Sequence, residues 1–417
     1  MKLQHILFAL ILISGCTPHE VTENGTIDAY FCPRDDCLGK IMSIINSSDD
    51  IKCAFYDLDI PQLIYLLGEK KAHVIIEDSN ALPEFKTGKS YALMHNKFCV
   101  LDNTTVITGS MNPTERGNFY NNNNLVVISS PSIAKNYMEE FDELANGIYG
   151  MGTKTKKTSV MLSGTEVENY FCPEDNCKLR VINALKAAEK SIYFMTYSFT
   201  DEDIGNLLWN KQYLGVDVRG ILEKRQLGKY SRYEDLENFS IIDKNPYTMH
   251  HKVFIIDNKT VITGSYNPTK NANENNDENI LIIHSPDVAQ SFLYEFNNLW
   301  EIDYTSYSMS NIEIYEVNYN PEGADERKEY VILHNKGEKL VDLGYYFLSD
   351  NSMNSRLSGL IAPGEKIKFR PTFSLTNKGD VLILKHNLKP VDIISWNSST
   401  LEEGQVLIRQ DGSWKIK

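Results

Sequence analysis

The chain has no excess of positive charge, no apolar run long enough to cross a bilayer, and no familiar metal-ligand spacing. Each absence removes a class of function. With 42 Lys and Arg against 56 Asp and Glu, the formal net charge is -14. A protein that coats nucleic acid without sequence preference is normally basic, so that class is disfavoured. A local basic groove inside an acidic shell stays compatible with the count. The apolar stretch near the start, Ile6 to Ile13, is too short to span a membrane. There is no H-E-x-x-H and no clustered acidic segment that would demand a metal, so no metal or cofactor is expected. The seven cysteines also lack C-x2-C spacing, which weakens a four-thiolate zinc site without removing it.

What is present describes a globular, exported protein. A length of 417 residues suggests two or three units. Lys2 before the short apolar run reads as a secretion signal over residues 1–15. The following Ile-Ser-Gly-Cys resembles a prokaryotic lipobox. That resemblance implies lipidation at Cys16, a polar tether over residues 16–26, and a membrane-anchored lipoprotein facing outside the cytoplasm. In an oxidising compartment, the twin close pairs Cys32/Cys37 and Cys172/Cys177 suggest two local disulfides. Cys53 and Cys99 face Phe194 and Phe254 at the matching places of the second half, and are expected to be buried core thiols.

The chain repeats itself, and the repeat fixes the architecture. Tyr30-Phe31-Cys32 returns as Tyr170-Phe171-Cys172. Each copy then reads helix, strand, helix, strand, a hairpin, a further strand and a closing amphipathic helix. Strand–helix–strand implies a right-handed crossover and a parallel pair. The expected halves are residues 27–150 and 167–306, joined by a linker over 151–166. From residue 307 to 417 only short strands and turns follow, which suggests an immunoglobulin-like β-sandwich. Tyr-Val-Ile-Leu-His-Asn, Val-Asp-Leu-Gly-Tyr and Val-Asp-Ile-Ile-Ser-Trp within it are similar to lamin-tail domains.

The hairpins carry the chemistry. His95-Asn96-Lys97 leads to Asp102, then Gly109-Ser110-Met111-Asn112; His250-His251-Lys252 leads to Asp257, then Gly264-Ser265-Tyr266-Asn267. A turn at Asn103-Thr104 would place Lys97 opposite Ser110 and His95 opposite Asn112. His, Lys, Ser and Asn would then share one face, with Asp102 and Asp257 structural beside their turns. Lysine supplies fixed charge, Ser and Asn supply donors, and His can attack or shuttle a proton. His251 falls on the opposite face and is expected to be packing or surface. The paired H-x-K-x4-D-x6-G-S-x-N motif resembles the signature of the phospholipase D superfamily, matching at every defined position.

That resemblance implies two pseudo-twofold-related α/β/α halves with mixed sheets and one shared active site. It also implies a metal-independent phosphodiester hydrolase working through a phosphohistidine. Lys97, Lys252, Asn112 and Asn267 would hold the phosphate oxygens. A carboxylate beyond each motif often receives the second ring N–H in that family. The matching positions here are Glu278 and the neutral Asn123. Pairing Glu278 with its own half favours His250 as nucleophile and His95 as acid. Ser110, Ser265, Lys224 and Arg225 are candidate substrate contacts. The last two lie in a stretch of cations and aromatics that suits a single nucleic-acid strand. Nuclease action is the leading expectation, on single- or double-stranded nucleic acid. Phospholipase D or phosphatidyl transferase activity on membrane lipid is the alternative, and a degenerate adhesion protein is the rival from another class.

Overall fold

A computed structural model of the chain describes residues 21–88, 93–301, 311–323, 328–350, 353–377, 379–386, 389–397, 402–410 and 412–417. The signal segment and Cys16 lie outside the described residues.

The first half runs β1 (Val21–Glu23), β2 (Thr26–Cys32), α1 (Cys37–Ser47), β3 (Ile51–Phe55), α2 (Pro61–Glu69), β4 (His73–Glu77), β5 (Lys86–Gly88), β6 (Lys97–Leu101), β7 (Thr105–Gly109), α3 (Glu115–Phe119), β8 (Asn123–Ser129) and α4 (Pro131–Ala145). The second half follows the same plan. It runs β9 (Ser159–Leu162), β10 (Thr165–Cys172), α5 (Cys177–Lys186), β11 (Ser191–Thr196), α6 (Glu202–Tyr213), β12 (Asp217–Leu222), α7 (Tyr233–Leu236), β13 (Ser240–Ile242), β14 (Lys252–Ile256), β15 (Thr260–Gly264), α8 (Lys270–Glu274), β16 (Glu278–His284) and α9 (Pro286–Glu301). The sheets are mixed, ordered β2-β8-β7-β6-β3-β4-β5 and β1-β9-β10-β16-β15-β14-β11-β12-β13. The expected parallel pairs are present as β3–β4 and β11–β12.

Alternation along the central strands decides which face each residue buries. Cys53, Cys99, Leu101 and Ile107 pack outward against α1 and α2. Ala54, Phe98, Val100 and Val106 pack inward with α4, into one apolar core that also takes Val253, Ile255, Leu281 and α9. The α4 stripe Ile133, Tyr137, Phe141 and Leu144 begins at a Ser130 cap that accepts the Ile133 N–H, with Pro131 in the first turn.

Two stretches expected to be irregular are strands. Val21–Glu23, assigned to the tether, pairs in parallel with Ser159–Leu162 on the sheet of the second half. Ser159–Leu162, assigned to the linker, turns back through Ser163 and Gly164, both at positive φ, onto β10. Edge pairing satisfies backbone groups that the polar side chains could not reveal.

The motif hairpins differ from expectation by one residue of register. Leu101 pairs with Thr105, and Ile256 with Thr260. The turn therefore holds three residues, and Lys97 falls opposite Gly109 rather than Ser110. Asp102 and Asn103 adopt φ of 52° and 54°, a left-handed conformation that Asp and Asn tolerate. The Asp102 carboxylate accepts the N–H groups of Asp49 and Asp50, tying the turn to the start of β3. Asp257 does the same for Glu189, Lys190 and Ser191.

Three disulfides close among the described residues. Cys32–Cys37 and Cys172–Cys177 are the expected local loops. Cys53–Cys99 corrects the free-thiol expectation: β3 and β6 are neighbours whose register sets the two side by side. Half-to-half comparison hid it, because Phe194 and Phe254 occupy the same register in the second half.

The C-terminal unit is all β. One sheet holds β17 (Ile312–Asn318), β18 (Tyr330–Asn335), β23 (Lys366–Phe369), β26 (Leu407–Gln410) and β27 (Ser413–Ile416). Another holds β20 (Tyr346–Ser349), β21 (Asn354–Arg356), β24 (Gly379–His386) and β25 (Lys389–Asn397), and the short pair β19 (Val341–Asp342) and β22 (Leu360–Ile361) lies beside them. Ile314, Val317, Leu333, Leu348, Leu382 and Trp396 share its core. It meets the first half at the Cys32–Cys37 loop, where Arg356 donates to the Asp35 carbonyl at 2.7 Å.

The Cys53–Cys99 bridge closes a loop with a sequence separation of 46. Replacing both residues by Ser is expected to cost about 2–4 kcal/mol in non-reducing denaturant titrations. A loss under ~0.5 kcal/mol would show that no cross-link forms there.

Candidate active site

The two halves exchange backbone hydrogen bonds at the point where each motif begins. The His95 N–H donates to the Asp277 carbonyl at 3.0 Å, and the Asp277 N–H donates to Leu93 at 2.9 Å. The mirror pair joins His250 to Asn122 at 2.8 Å, and Asn122 to Thr248 at 2.9 Å. Each motif thus runs alongside the start of the other half's β8 or β16. Buried glutamates hold the approach: Glu77 accepts the Met94 N–H and Glu223 accepts the Met249 N–H, both at 2.7 Å.

This exchange brings both histidines to one open cleft of about 820 Å³. Asn112, Asn267, Tyr56, Tyr197, Tyr230, Arg116 and Gln226 also line it. Lys97 and Lys252 lie buried behind, each donating to the carbonyl of the histidine two residues before it, at 2.6 and 2.9 Å. Tyr56 sits edge-on to His95 with Lys97 over its ring, and Tyr197 repeats this with His250 and Lys252.

The ring partners cross between halves. His95 Nδ1 meets Glu278 Oε2 at 2.8 Å, and His250 Nδ1 meets Asn123 Oδ1 at 2.9 Å. The expectation that Glu278 serves its own half's His250 is therefore corrected. Counting along one chain cannot reveal a strand start handed across the interface. Each acceptor fixes Nδ1 as the N–H and leaves Nε2 free. Glu278 is fully buried; its Oε2 also accepts the Ser265 hydroxyl at 2.7 Å, and Asn276 donates to Oε1 at 3.2 Å.

Four expected substrate contacts have other partners. Ser110 and Ser265 are fully buried, and accept the N–H groups of Asn124 and Asn279 at 3.0 and 2.9 Å. The shifted register turns them onto Asn123 and Glu278, where they position the residues that hold the rings. Lys224 donates to the Asn245 carbonyl; Arg225 donates to Thr248 Oγ1 at 3.0 Å and the Pro246 carbonyl at 2.7 Å. Both brace the loop ahead of the second motif instead of lining the cleft. Tyr230 and Gln226, from the same stretch, do line it. His251 is buried, hydrogen-bonded to Asn124 at 3.1 Å and 3.5 Å from Glu295.

Sequence reasoning missed Tyr56, Tyr197, Glu77 and Glu223. The tyrosines directly follow equivalent strands, so aligning the repeats could have found them. Among the described residues, Glu140, Glu143 and Glu174 form a carboxylate group able to hold a metal, outside the cleft.

Electrostatics follow from burial. His95 is pushed down to about 4 by desolvation, against the upward pull of Glu278 and with help from Lys97. Lys97 is pushed down to about 7, also by burial. His250 and Lys252 are held well below their ordinary values for the same reason. Glu278, Asp57 and Glu77 pull Lys97 the other way. NMR titration of the His95 ring should give a value near 4. Glu278→Gln should lower it further, because the carboxylate that favours the charged ring is gone. A rise in that variant would contradict the pairing.

A family model described as "Cardiolipin synthase, PLD-like domain" matches residues 63–145 and 181–300. A phospholipase D of Rickettsia conorii is 40% identical over 141 residues, covering 33% of this chain and 70% of the relative. A mitochondrial cardiolipin hydrolase of Mus musculus is 34% identical over 134 residues, covering 31% of this chain and 61% of the relative. The solved structure of Nuc, a phospholipase D family member from Salmonella typhimurium, is 36% identical, covers 33% of this chain and 94% of its own, and gives a TM-score of 0.32. With a relative this similar matched over more than two thirds of its length, the chain belongs to the phospholipase D superfamily.

Proposed function

We propose that the protein is a phosphodiesterase that cuts a strand of nucleic acid through a phosphohistidine on His95. The observation that carries this reading is the cleft: two imidazoles with free Nε2 atoms open on one space, with two lysines behind them. His95 Nε2 attacks phosphorus. The bond to the departing oxygen breaks, and that oxygen takes the Nε2 proton that His250 picks up from solvent when the phosphate anion binds beside it. Water, deprotonated by His250, then displaces the phosphate from His95.

The asymmetry of the ring partners supports these roles. Phosphorylated His95 carries a positive ring, which the Glu278 carboxylate stabilises. His250 faces a neutral amide, so it yields its proton more readily. This reverses the roles that same-half pairing suggested. Lys97 and Lys252 supply positive charge close to the phosphate, and Asn112 and Asn267 supply donors at the cleft wall. None of these steps calls on a metal ion.

The lining favours nucleic acid over lipid. Among the described residues it is polar and aromatic, with Leu93 as its one aliphatic member, and offers ring faces rather than a greasy channel. Phospholipid is the second reading, favoured by the names of the Rickettsia and mouse relatives. Export, lipid anchoring at Cys16 and a lamin-tail-like adhesive role for the C-terminal unit complete the proposal. A surface enzyme held this way would meet extracellular polymer.

Single-stranded oligonucleotides, RNA, plasmid DNA, phosphatidylcholine and cardiolipin should be assayed side by side in excess chelator. Nucleic acid is expected to be cut, with activity lost about 10³-fold or more in His95→Ala and in His250→Ala. Protein quenched in alkaline denaturant during turnover should carry the labelled phosphoryl group on the His95 peptide. Hydrolysis of lipid alone would sink the nuclease reading, and label on His250 would reverse the roles.

A further inference from the structure

The cleft is lined from matched positions of the two halves. Tyr56 answers Tyr197, Asn112 answers Asn267, and Thr114 answers Thr269. The match fails where charge is concerned. Asp57 and Asp59, just after β3, line the wall of the first half; Ser198 and Thr200 hold the same places after β11. Among the described lining residues, the first half sets one cation, Arg116, beside these two acids. The second half contributes Lys270 and no carboxylate.

The acids stand next to the chemistry. Asp57 directly follows Tyr56, whose ring centroid lies 4.9 Å from that of His95. Burial lifts the Asp57 carboxyl above the ordinary range, Asp59 adds to the lift, and Lys97 opposes it. Asp59 is exposed, and its Oδ1 accepts the Glu115 N–H at 2.6 Å. The opposite wall is larger as well as free of acids. Between β12 and His250 it carries α7, which has no counterpart among the described residues of the first half. The same segment gives Gln226 and Tyr230 to the cleft. Tyr230 is 75% exposed, so its ring is open to a base.

An in-line displacement gives each wall one arm of the substrate. The departing oxygen meets His250, so the departing arm leaves along the second half. The arm that stays on phosphorus rests beside His95, Asp57 and Asp59. An arm of nucleic acid carries a phosphate at every nucleotide, and a further phosphate set against two carboxylates is repelled. A terminal nucleoside carries none, and its free hydroxyl can donate to a carboxylate.

We propose that Asp57 and Asp59 restrict the cut to the last phosphodiester of a strand, with the terminal nucleoside on the wall of the first half and the rest of the strand on that of the second. This mode of cutting rests on the nuclease reading. His95 attacks the phosphorus of the last diester, the P–O bond to the long arm breaks, and that oxygen takes the Nε2 proton of His250. Water then releases a nucleoside monophosphate from His95. The long arm departs with a hydroxyl at its new end, so it can be cut again. Glu278 determines which ring takes the phosphoryl group; the walls determine where along the chain the cut falls.

The test compares a circular single-stranded DNA with the same sequence made linear, using the full chain in excess chelator. The linear strand carries hydroxyl or phosphate at each end in turn. Wild type is expected to release mononucleotides from the hydroxyl-ended strand, and to cut the circle at least about tenfold more slowly. Phosphate at the end where trimming starts should slow release by a similar factor. Asp57→Ser should narrow the gap between circle and linear strand, and Asp57→Ser with Asp59→Asn should bring it to about threefold or less. Asp59→Asn keeps an acceptor for the Glu115 N–H. A circle cut by wild type as fast as the linear strand overturns this mode and leaves the nuclease reading standing. So does release that ignores phosphate at both ends, or a gap that the double variant leaves unchanged. Cleavage of neither DNA removes the nuclease reading and this mode together.

Discussion

The molecule depends on four backbone hydrogen bonds exchanged between its halves, at Leu93–His95 with Asp277 and at Thr248–His250 with Asn122. Apart from β1, which joins the second sheet, each half makes its sheet and helices from its own sequence, yet neither holds its own histidine. The ring of one half is fixed by a side chain that begins a strand of the other. Remove the exchange and two sheets survive, each with an imidazole lacking its acceptor. The shared apolar core beneath it, to which both α4 and α9 contribute, is what keeps those bonds in register.

Burial sets the electrical character of the cleft. Two lysines and two histidines sit close together with a single carboxylate, Glu278, in direct contact with a ring. Desolvation lowers all four, so the cleft carries less positive charge than its composition suggests. An anion in the cleft would reverse that. This local cluster of cationic side chains sits in a chain whose overall charge is negative.

Much of this was legible in the residues. The doubled motif announced two halves, and strand–helix–strand order gave the parallel pairs. Equal spacing picked out Asn123 and Glu278 as equivalent. What could not be read was anything carried between distant segments. The Glu278–His95 contact, the Cys53–Cys99 bridge and the Val21–Glu23 strand each depend on which strand lies beside which. The hairpin register slipped for a local reason. Asp102 and Asn103 both took left-handed conformations, lengthening the turn and turning Ser110 away from the expected face. Lys224 and Arg225 look like binding residues in sequence, but their cations satisfy carbonyls in their own loop.

The scaffold is nearly twofold, and a perfectly symmetric cleft would accept a diester in either orientation. One substitution within the repeat, a carboxylate at Glu278 where the other half has Asn123, breaks that equivalence. An unbranched polymer has a head and a tail. If only one ring takes the phosphoryl group, the chain can be threaded productively in a single sense, and every scission leaves its phosphate on the same kind of end. Directionality would then come from one side chain rather than from the shape of the groove.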